Sequence, residues 1–166
     1  MAKIPIRIDL VAEAINKHHK DAQDAPRAHM GASGLGHHCD RWIWLSFRWA
    51  VLEAFPGRIT RLFRRGHNEE ATIQADLEAI GVKFEDTGQD QQFVDLGGHL
   101  GGSTDGIAVS GIPGGGMQKH VVEYKTHALK SFNDLEAKGV KKSKPVHYAQ
   151  MQLYMYGLNI KRALYV

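Results

Sequence analysis

Apolar residues recur at helical spacing in four stretches of the chain, which are residues 8–20, 38–56, 59–80 and 145–158. The third stretch has the clearest amphipathic pattern, and Gly81 directly after it is a typical helix stop. Gly66 lies inside that stretch and costs about 1 kcal/mol relative to Ala, which indicates that something approaches this position closely or that the stretch breaks into two helices. The second stretch carries Trp42, Trp44 and Trp49 on more than one side, so we predict a well-buried helix.

Short extended patterns predict strands in the rest of the sequence, at residues 82–85, 91–95, 100–109, 120–126 and 162–166. Residues 131–144 are polar and lysine-rich, which predicts a mobile surface loop or a short helix followed by a loop. This order of elements favours an α/β fold with a central mixed β-sheet flanked by helices. We divide the chain into an N-terminal helix and loop, residues 1–30, and one domain, residues 31–166. Because the sequence ends inside the last predicted strand, we expect this domain to be truncated there.

Composition and charge narrow the class of protein. The chain has 166 residues, 43% hydrophobic and 23% charged, which suits one globular domain with a substantial core. The formal net charge of +3 permits a polyanionic partner without requiring one. Cys39 is the single cysteine, which excludes an internal disulfide, and a reducing cytoplasm is the expected location. The sequence has no run of 18 apolar residues, so we expect no membrane-spanning helix and no membrane partner.

The two predicted strands joined by the glycine-rich residues 111–116 carry the strongest candidate chemistry. Side chains alternate along a strand, so Glu123 and Lys125 share one face while Tyr124 points to the other. If the two strands pair as a hairpin, Asp105 comes alongside that face. Two carboxylates and an ammonium would then meet at one sheet edge, where they can hold a hard divalent cation and act on a phosphodiester. The same pattern also occurs as solvated surface charges, but the apolar pair directly before Glu123 favours the metal site, because buried charges require partners.

Two motifs lie around these residues. The sequence reads T-D-G around Asp105 and V-E-Y-K-T around Glu123 and Lys125. Gln150 and Tyr154 on the following predicted helix form a Q-x-x-x-Y pattern. Together they resemble the core of the PD-(D/E)xK nuclease superfamily, in particular its RecB-type and lambda-exonuclease-like branches.

Two further motifs precede the candidate site and strengthen the resemblance. The segment from Gly66 to Glu70 resembles the G-x-x-x-E element of these exonucleases, and Ser33, Cys39 and Arg41 resemble their S-x-x-x-x-x-C-x-R element. The resemblance thus covers residues 31–166 through four elements in the same order. Some relatives hold an iron–sulfur cluster with four cysteines, which this chain lacks, so Cys39 is expected to be a small core residue.

The resemblance implies a metal-dependent DNA exonuclease that hydrolyses phosphodiester bonds in phage or bacterial recombination or repair. Its cofactors would be two Mg²⁺ or Mn²⁺ ions. Asp105, Glu123 and the backbone carbonyl of Tyr124 would ligate one ion. Glu70 would help to hold a second ion, and His67, one helical turn away, could share that face. An oxygen-rich ligand set of this kind suits hard cations.

The resemblance also implies how DNA is bound. Lys125, the third catalytic residue after Asp105 and Glu123, would position the attacking water and stabilise the developing charge. Gln150 and Tyr154 would fix the nucleic-acid backbone, and Ser33 and Arg41 would bind a terminal phosphate. The expected partner is linear DNA with a free end, and further partners are a second copy of the chain or a recombination protein, in a bacterial or phage-infected host cytoplasm. The alternatives are a restriction-type or structure-specific endonuclease, or a catalytically inactive nucleic-acid-binding module.

Overall fold

The computed structural model of the chain describes residues 8–22, 27–52 and 54–166. The described residues form five α-helices, which are α1 (Ile8–Asp21), α2 (Asp40–Phe47), α3 (Gly57–Ala79), α4 (Leu129–Ser143) and α5 (Pro145–Gly157). They also form seven strands, which are β1 (Met30–Gly31), β2 (Lys83–Glu85), β3 (Phe93–Leu96), β4 (Leu100–Ser103), β5 (Gly106–Ser110), β6 (His120–Glu123) and β7 (Ala163–Tyr165). The predicted α/β class, with mixed sheets flanked by helices, is confirmed.

The strands belong to two sheets rather than to the one central sheet that we predicted. The first sheet has the order β1-β4-β3 and the second has the order β2-β5-β6-β7. Each sheet is mixed. In the first, β1 is parallel and β3 antiparallel to β4. In the second, β7 is parallel to β6, and the other pairs are antiparallel. The predicted strand 100–109 breaks at Thr104 and Asp105, since the Thr104 amide still bonds to the β3 side at Gln92 O whereas Gly106 pairs with β6. The chain therefore passes from one sheet to the other at Asp105.

Helix α2 is shorter and more exposed than its aromatic sequence predicts. It ends at Phe47, and of its eight described residues none is buried. Trp44 remains 60% exposed and lies under the Arg48 guanidinium at 5.7 Å instead of in a core. Cys39, just before α2, is half-buried rather than a core residue. The prediction of a well-buried helix is wrong, because apolar residues on several sides of a helix do not by themselves provide a partner surface.

Two other helices differ from the sequence-based expectations. Helix α3 runs through Gly66 without a break, and a Cβ built there would meet no described atom within 4 Å. The predicted break at Gly66 is therefore wrong, and no described residue approaches this position closely. Residues 129–143 form helix α4, where we predicted a mobile loop or a short helix with a loop, and it kinks at Gly139, whose φ is 72°.

The core lies on both sides of β6, and every residue of this strand is buried. Val121 faces α5 and packs with Leu153 and Tyr154. On the other side, Val122 and Tyr124 pack with residues of α3 and with β2, β5 and β7. Burying one such valine contributes roughly 1.5–3 kcal/mol, so these contacts fix the direction of each side chain at the end of the strand.

Within the described ranges, no helix is both long and apolar enough to span a bilayer.

Candidate active site

The end of β6 brings together the three residues predicted to be catalytic. The Lys125 ammonium pairs with Glu123 Oε1 and lies 3.9 Å from Asp105 Oδ2. Asp105 is held beside β6, because its Oδ2 accepts a hydrogen bond of 2.8 Å from the Tyr124 backbone amide. The residue that breaks the predicted strand therefore presents its carboxylate to the next strand.

Three oxygen atoms face the same ammonium group. Besides the two carboxylates, the Tyr124 carbonyl oxygen accepts a hydrogen bond of 3.0 Å from Lys125 Nζ. These oxygens belong to Asp105, Glu123 and Tyr124, the set predicted to ligate one metal ion. The Lys125 ammonium is thus the positive charge that this set of oxygen atoms surrounds.

The two carboxylates occupy an environment that opposes their ionisation. The Glu123 side chain is completely buried, and burial raises its pKa from 4.5 to about 7 despite the attraction of Lys125. Burial also raises the pKa of Asp105 above its ordinary value, while Lys125 and the Tyr124 amide act in the opposite direction. A bound cation would lower both pKa values, because a nearby positive charge favours the ionised form of a carboxyl group.

Several buried polar atoms around the carboxylates lack hydrogen-bond partners within the described part of the chain. They include Thr104 Oγ1, next to Asp105 in sequence, and Gln150 Oε1. Glu123 Oε1, although it pairs with Lys125, accepts no hydrogen bond of normal geometry from the described residues. Since buried polar groups in native structures are nearly always satisfied, these atoms suit a site that receives a cation or water.

Helix α5 supports the buried carboxylate. Gln150 Nε2 donates hydrogen bonds to Glu123 Oε2 at 3.3 Å and to the Tyr154 hydroxyl at 3.2 Å. Burial raises the pKa of Tyr154 to about 12, so its hydroxyl stays protonated near neutral pH. Gly102 allows this hydroxyl to lie close to β4, because a Cβ there would be 2.5 Å from the hydroxyl oxygen.

Helix α3 forms the opposite wall with Glu70 and His67, both of which line the same cleft as Asp105 and Lys125. Burial and the Asp105 charge raise the pKa of Glu70. His67 Nδ1 lies 2.9 Å from the Phe63 carbonyl oxygen. A carbonyl can only accept, so Nδ1 carries the proton, and the lone pair of neutral His67 is on Nε2.

The cleft has a volume of about 620 Å³, and Gln150, Tyr154 and Ser33 also line it. Arg41 is exposed on α2 and does not belong to the described residues that line the cleft. Arg27 and His29, which were not predicted to belong to the site, also line the cleft. The signal in the sequence was a basic residue and an imidazole two positions apart, since strand β1, which follows them, is too short to be recognised.

A second cavity, of about 400 Å³, is lined by Lys125, His127 and His147 among others and was not predicted. The Tyr165 hydroxyl lies 2.9 Å from His127 Nε2 and 2.7 Å from His147 Nδ1. Burial lowers the pKa of His147 to about 4, with Lys125 acting in the same direction. These contacts tie the segment after β6 to β7 and α5, and the Lys125 amide bonds to Val166 O at 2.9 Å. The backbone of Lys125 is therefore held in place.

The residues present fit a hard cation through oxygen atoms. Among the described residues, no three His, Cys, Asp or Glu side chains converge closely enough to hold an ion by themselves. A single ion would therefore use the Tyr124 carbonyl together with Asp105 and Glu123. Glu70 and His67 are the described side chains across the cleft that a second ion would use.

Comparisons with known proteins do not show a family for this chain. No family model matches the sequence, and no curated protein matches it. A solved structure, "Crystal structure of SSO0001", has a TM-score of 0.46 and 15% sequence identity, over 99% of this chain and 74% of that chain. A likeness at this level carries no argument about fold or function.

Proposed function

We propose that this chain is a metal-dependent DNA exonuclease with a PD-(D/E)xK core, which hydrolyses phosphodiester bonds from a free end of linear DNA. The observation that carries the proposal is the convergence of Asp105, Glu123 and the Tyr124 carbonyl on the Lys125 ammonium. The antiparallel pairing of β5 and β6, with α3 and α5 on opposite sides of β6, supports the proposed core.

The metal would be Mg²⁺ or Mn²⁺, held by Asp105, Glu123 and the Tyr124 carbonyl, with Glu70 and His67 contributing to a second ion. When bound, such an ion lowers the pKa of a water molecule and neutralises charge on the scissile phosphate. The buried Glu123 carboxylate supports this assignment, because its ionised form requires a cationic partner in that environment.

The side chains of this chain have distinct roles in the proposed reaction. Lys125 supplies a fixed positive charge for the negative charge that develops on the phosphate oxygens. Gln150 holds Glu123 in orientation through its amide hydrogen bond. Tyr154, protonated near neutral pH, donates a hydrogen bond to a backbone phosphate in the cleft. Ser33, also in the cleft, is the proposed contact for a terminal phosphate.

The choice of exonuclease rests on the Q-x-x-x-Y and G-x-x-x-E elements, whose residues Gln150, Tyr154 and Glu70 share the cleft with Asp105. Arg41 remains a proposed DNA contact outside that cleft. We place the activity in phage or bacterial recombination or repair, in the cytoplasm, with a second copy or a recombination protein as a possible partner. A restriction-type or structure-specific endonuclease and an inactive nucleic-acid-binding module are the alternatives.

Cleavage of linear and closed circular duplex DNA, with Mg²⁺, Mn²⁺ or EDTA, tests the proposal. We expect the wild-type protein to degrade linear DNA with either metal and to leave circles intact. Cleavage of circles would instead support an endonuclease, and absence of cleavage with both metals would support the binding module.

Asp105→Asn, which keeps the size of the side chain but removes its charge, should abolish this cleavage. It should also remove the rise in melting temperature that Mn²⁺ produces in the wild type, because one anionic ligand is lost. The matched control is Asp76→Asn, on the exposed surface of α3. Equal activity and equal Mn²⁺ response in the two variants would refute the site.

A further inference from the structure

An aromatic pocket of about 440 Å³ adjoins the catalytic cleft. The aromatic pocket is the cavity lined by His37, Trp42, Trp49 and neighbouring residues. Arg27, His29 and Ser33 line both the aromatic pocket and the cleft. The two cavities therefore share a boundary formed by these three residues.

The tryptophan rings of the pocket are held by their own neighbours. The Trp42 ring lies against His37, with centroids 4.3 Å apart and planes inclined by 32°. The Trp49 indole N–H donates a hydrogen bond of 3.1 Å to the Arg27 carbonyl. Trp49 also adopts φ of 52°, a conformation that is unfavourable for a residue with a side chain. Such strain is tolerated when the surrounding structure holds a residue in place. The indole itself packs against the His99 ring, with centroids 4.1 Å apart.

The boundary between the two cavities is cationic. Arg27 lies there, and a Cβ on Gly31 would come within 3.3 Å of its Nη1 atom, so the guanidinium packs directly over a residue without a side chain. Of the described residues that line the aromatic pocket, none is acidic. On the cleft side, the aromatic surface continues with Phe93, whose ring lies 5.1 Å from that of His29.

We infer that the aromatic pocket binds the bases of a single-stranded nucleic-acid segment whose backbone passes Arg27 into the cleft. This inference rests on the proposed function, since it specifies how the substrate approaches Asp105. Aromatic side chains bind unpaired bases of any sequence by stacking, and a basic residue beside them follows the phosphates. Duplex bases fit the pocket poorly, because their faces are already covered by their neighbours in the stack.

Binding of bases can be measured without cleavage. The probes are a fluorescently labelled oligothymidylate of about a dozen nucleotides and an abasic oligomer of the same length, which carries the same charge without bases. Anisotropy in EDTA should show about tenfold tighter binding, or more, of the oligomer with bases. Equal affinities, or no binding of either oligomer, would overturn the inference.

Variants locate the binding surface. Trp42→Leu and Trp49→Leu should each weaken binding of the oligothymidylate by about tenfold and leave binding of the abasic oligomer unchanged. The matched control is Trp44→Leu, because Trp44 is on the same helix as Trp42 but is not among the described residues of the pocket. An equal loss in Trp44→Leu would contradict the inference. If circular dichroism shows that a variant does not fold, the inference is tested by the affinities of the wild-type protein for the oligothymidylate and the abasic oligomer.

The same assays separate this inference from the proposed function. If the protein prefers the oligomer with bases but cleaves no DNA with Mg²⁺ or Mn²⁺, the inference about base binding stands and the nuclease proposal is wrong. If the protein cleaves DNA but binds both oligomers equally, the nuclease proposal stands and the inference about base binding is wrong.

Discussion

The two ends of β6 carry the same kinds of charged residue in different environments. Before the strand, Lys119 pairs with Glu85 at 2.6 Å, and their side chains are 53% and 49% exposed. After the strand, Lys125 pairs with Glu123, whose side chain is fully buried, and lies near Asp105. Both ends therefore contain an ammonium and a carboxylate, and they differ mainly in their access to water.

This difference assigns them different roles. An exposed pair such as Lys119–Glu85 contributes about 0–1 kcal/mol to stability and is weakened by salt. At the buried end, removal from water raises the pKa of both Glu123 and Asp105, so ionisation of the two carboxyl groups is less favourable there than in water. Strongly perturbed carboxylates in a cleft are typical of functional sites, whereas the exposed pair is an ordinary surface interaction.

The largest expected contrast between the two ends is in catalysis. Lys125→Met should lower the rate of metal-dependent cleavage by about 10²–10³-fold, because a fixed charge at the reacting phosphate is lost. Lys119→Met should leave the rate within about twofold of the wild type, since its charge is exposed and screened. Single-turnover rates on linear DNA give the comparison. Similar losses in both variants would show that Lys125 has no special role.

The next contrast is in the pH dependence of stability. In the folded protein the Glu123 pKa is raised from 4.5 to about 7, so the folded state binds this proton more tightly than the unfolded state. The contribution of Glu123 to the free energy of unfolding is therefore fully present below pH 4.5, and it is lost as the pH rises through about 7. At about 1.4 kcal/mol per pKa unit, the loss amounts to roughly 3 kcal/mol.

Urea unfolding in EDTA across this pH range measures the effect. The wild type should lose more free energy of unfolding with rising pH than Glu123→Gln, because the amide does not titrate. The comparison between the two proteins removes the contribution of other groups, such as His147, whose lowered pKa has the opposite effect. Glu85→Gln should follow the wild-type curve, and parallel curves for wild type and Glu123→Gln would contradict the prediction.

The smallest expected effect belongs to the exposed pair. Lys119→Ala should lower the free energy of unfolding by less than about 1 kcal/mol, and this difference should shrink in high salt because the charges are screened. Denaturant titrations at low and high ionic strength check it. A larger loss that persists in high salt would mean that the two ends of β6 are more alike than their exposure indicates.

The sequence predicted the parts of the site that depend on local periodicity. Strand alternation placed Glu123 and Lys125 on one face and Tyr124 on the other, and the contacts agree. Helical spacing placed Gln150 and Tyr154 one turn apart, and they are hydrogen-bonded to each other. These relations are set by backbone geometry within one element, so they can be derived without knowledge of the packing.

The relations between elements could not be derived in this way. The change of sheet at Asp105 depends on which strands compete for the backbone hydrogen bonds on either side of it. The exposure of α2 depends on whether another surface is available to cover Trp44. Arg27 reaches the cleft because β1 pairs with β4 in parallel, and a two-residue strand has no recognisable periodicity.

The contact of Tyr154 with Gly102 has a mechanical consequence. One turn of α5 touches both sheets, since Tyr154 lies against β4 while Gln150 bonds to Glu123 on β6. The turn therefore connects β4 to the Glu123 carboxylate on β6. A methyl group at Gly102 would displace Tyr154, and the displacement would be transmitted along the turn to Gln150 and to that carboxylate.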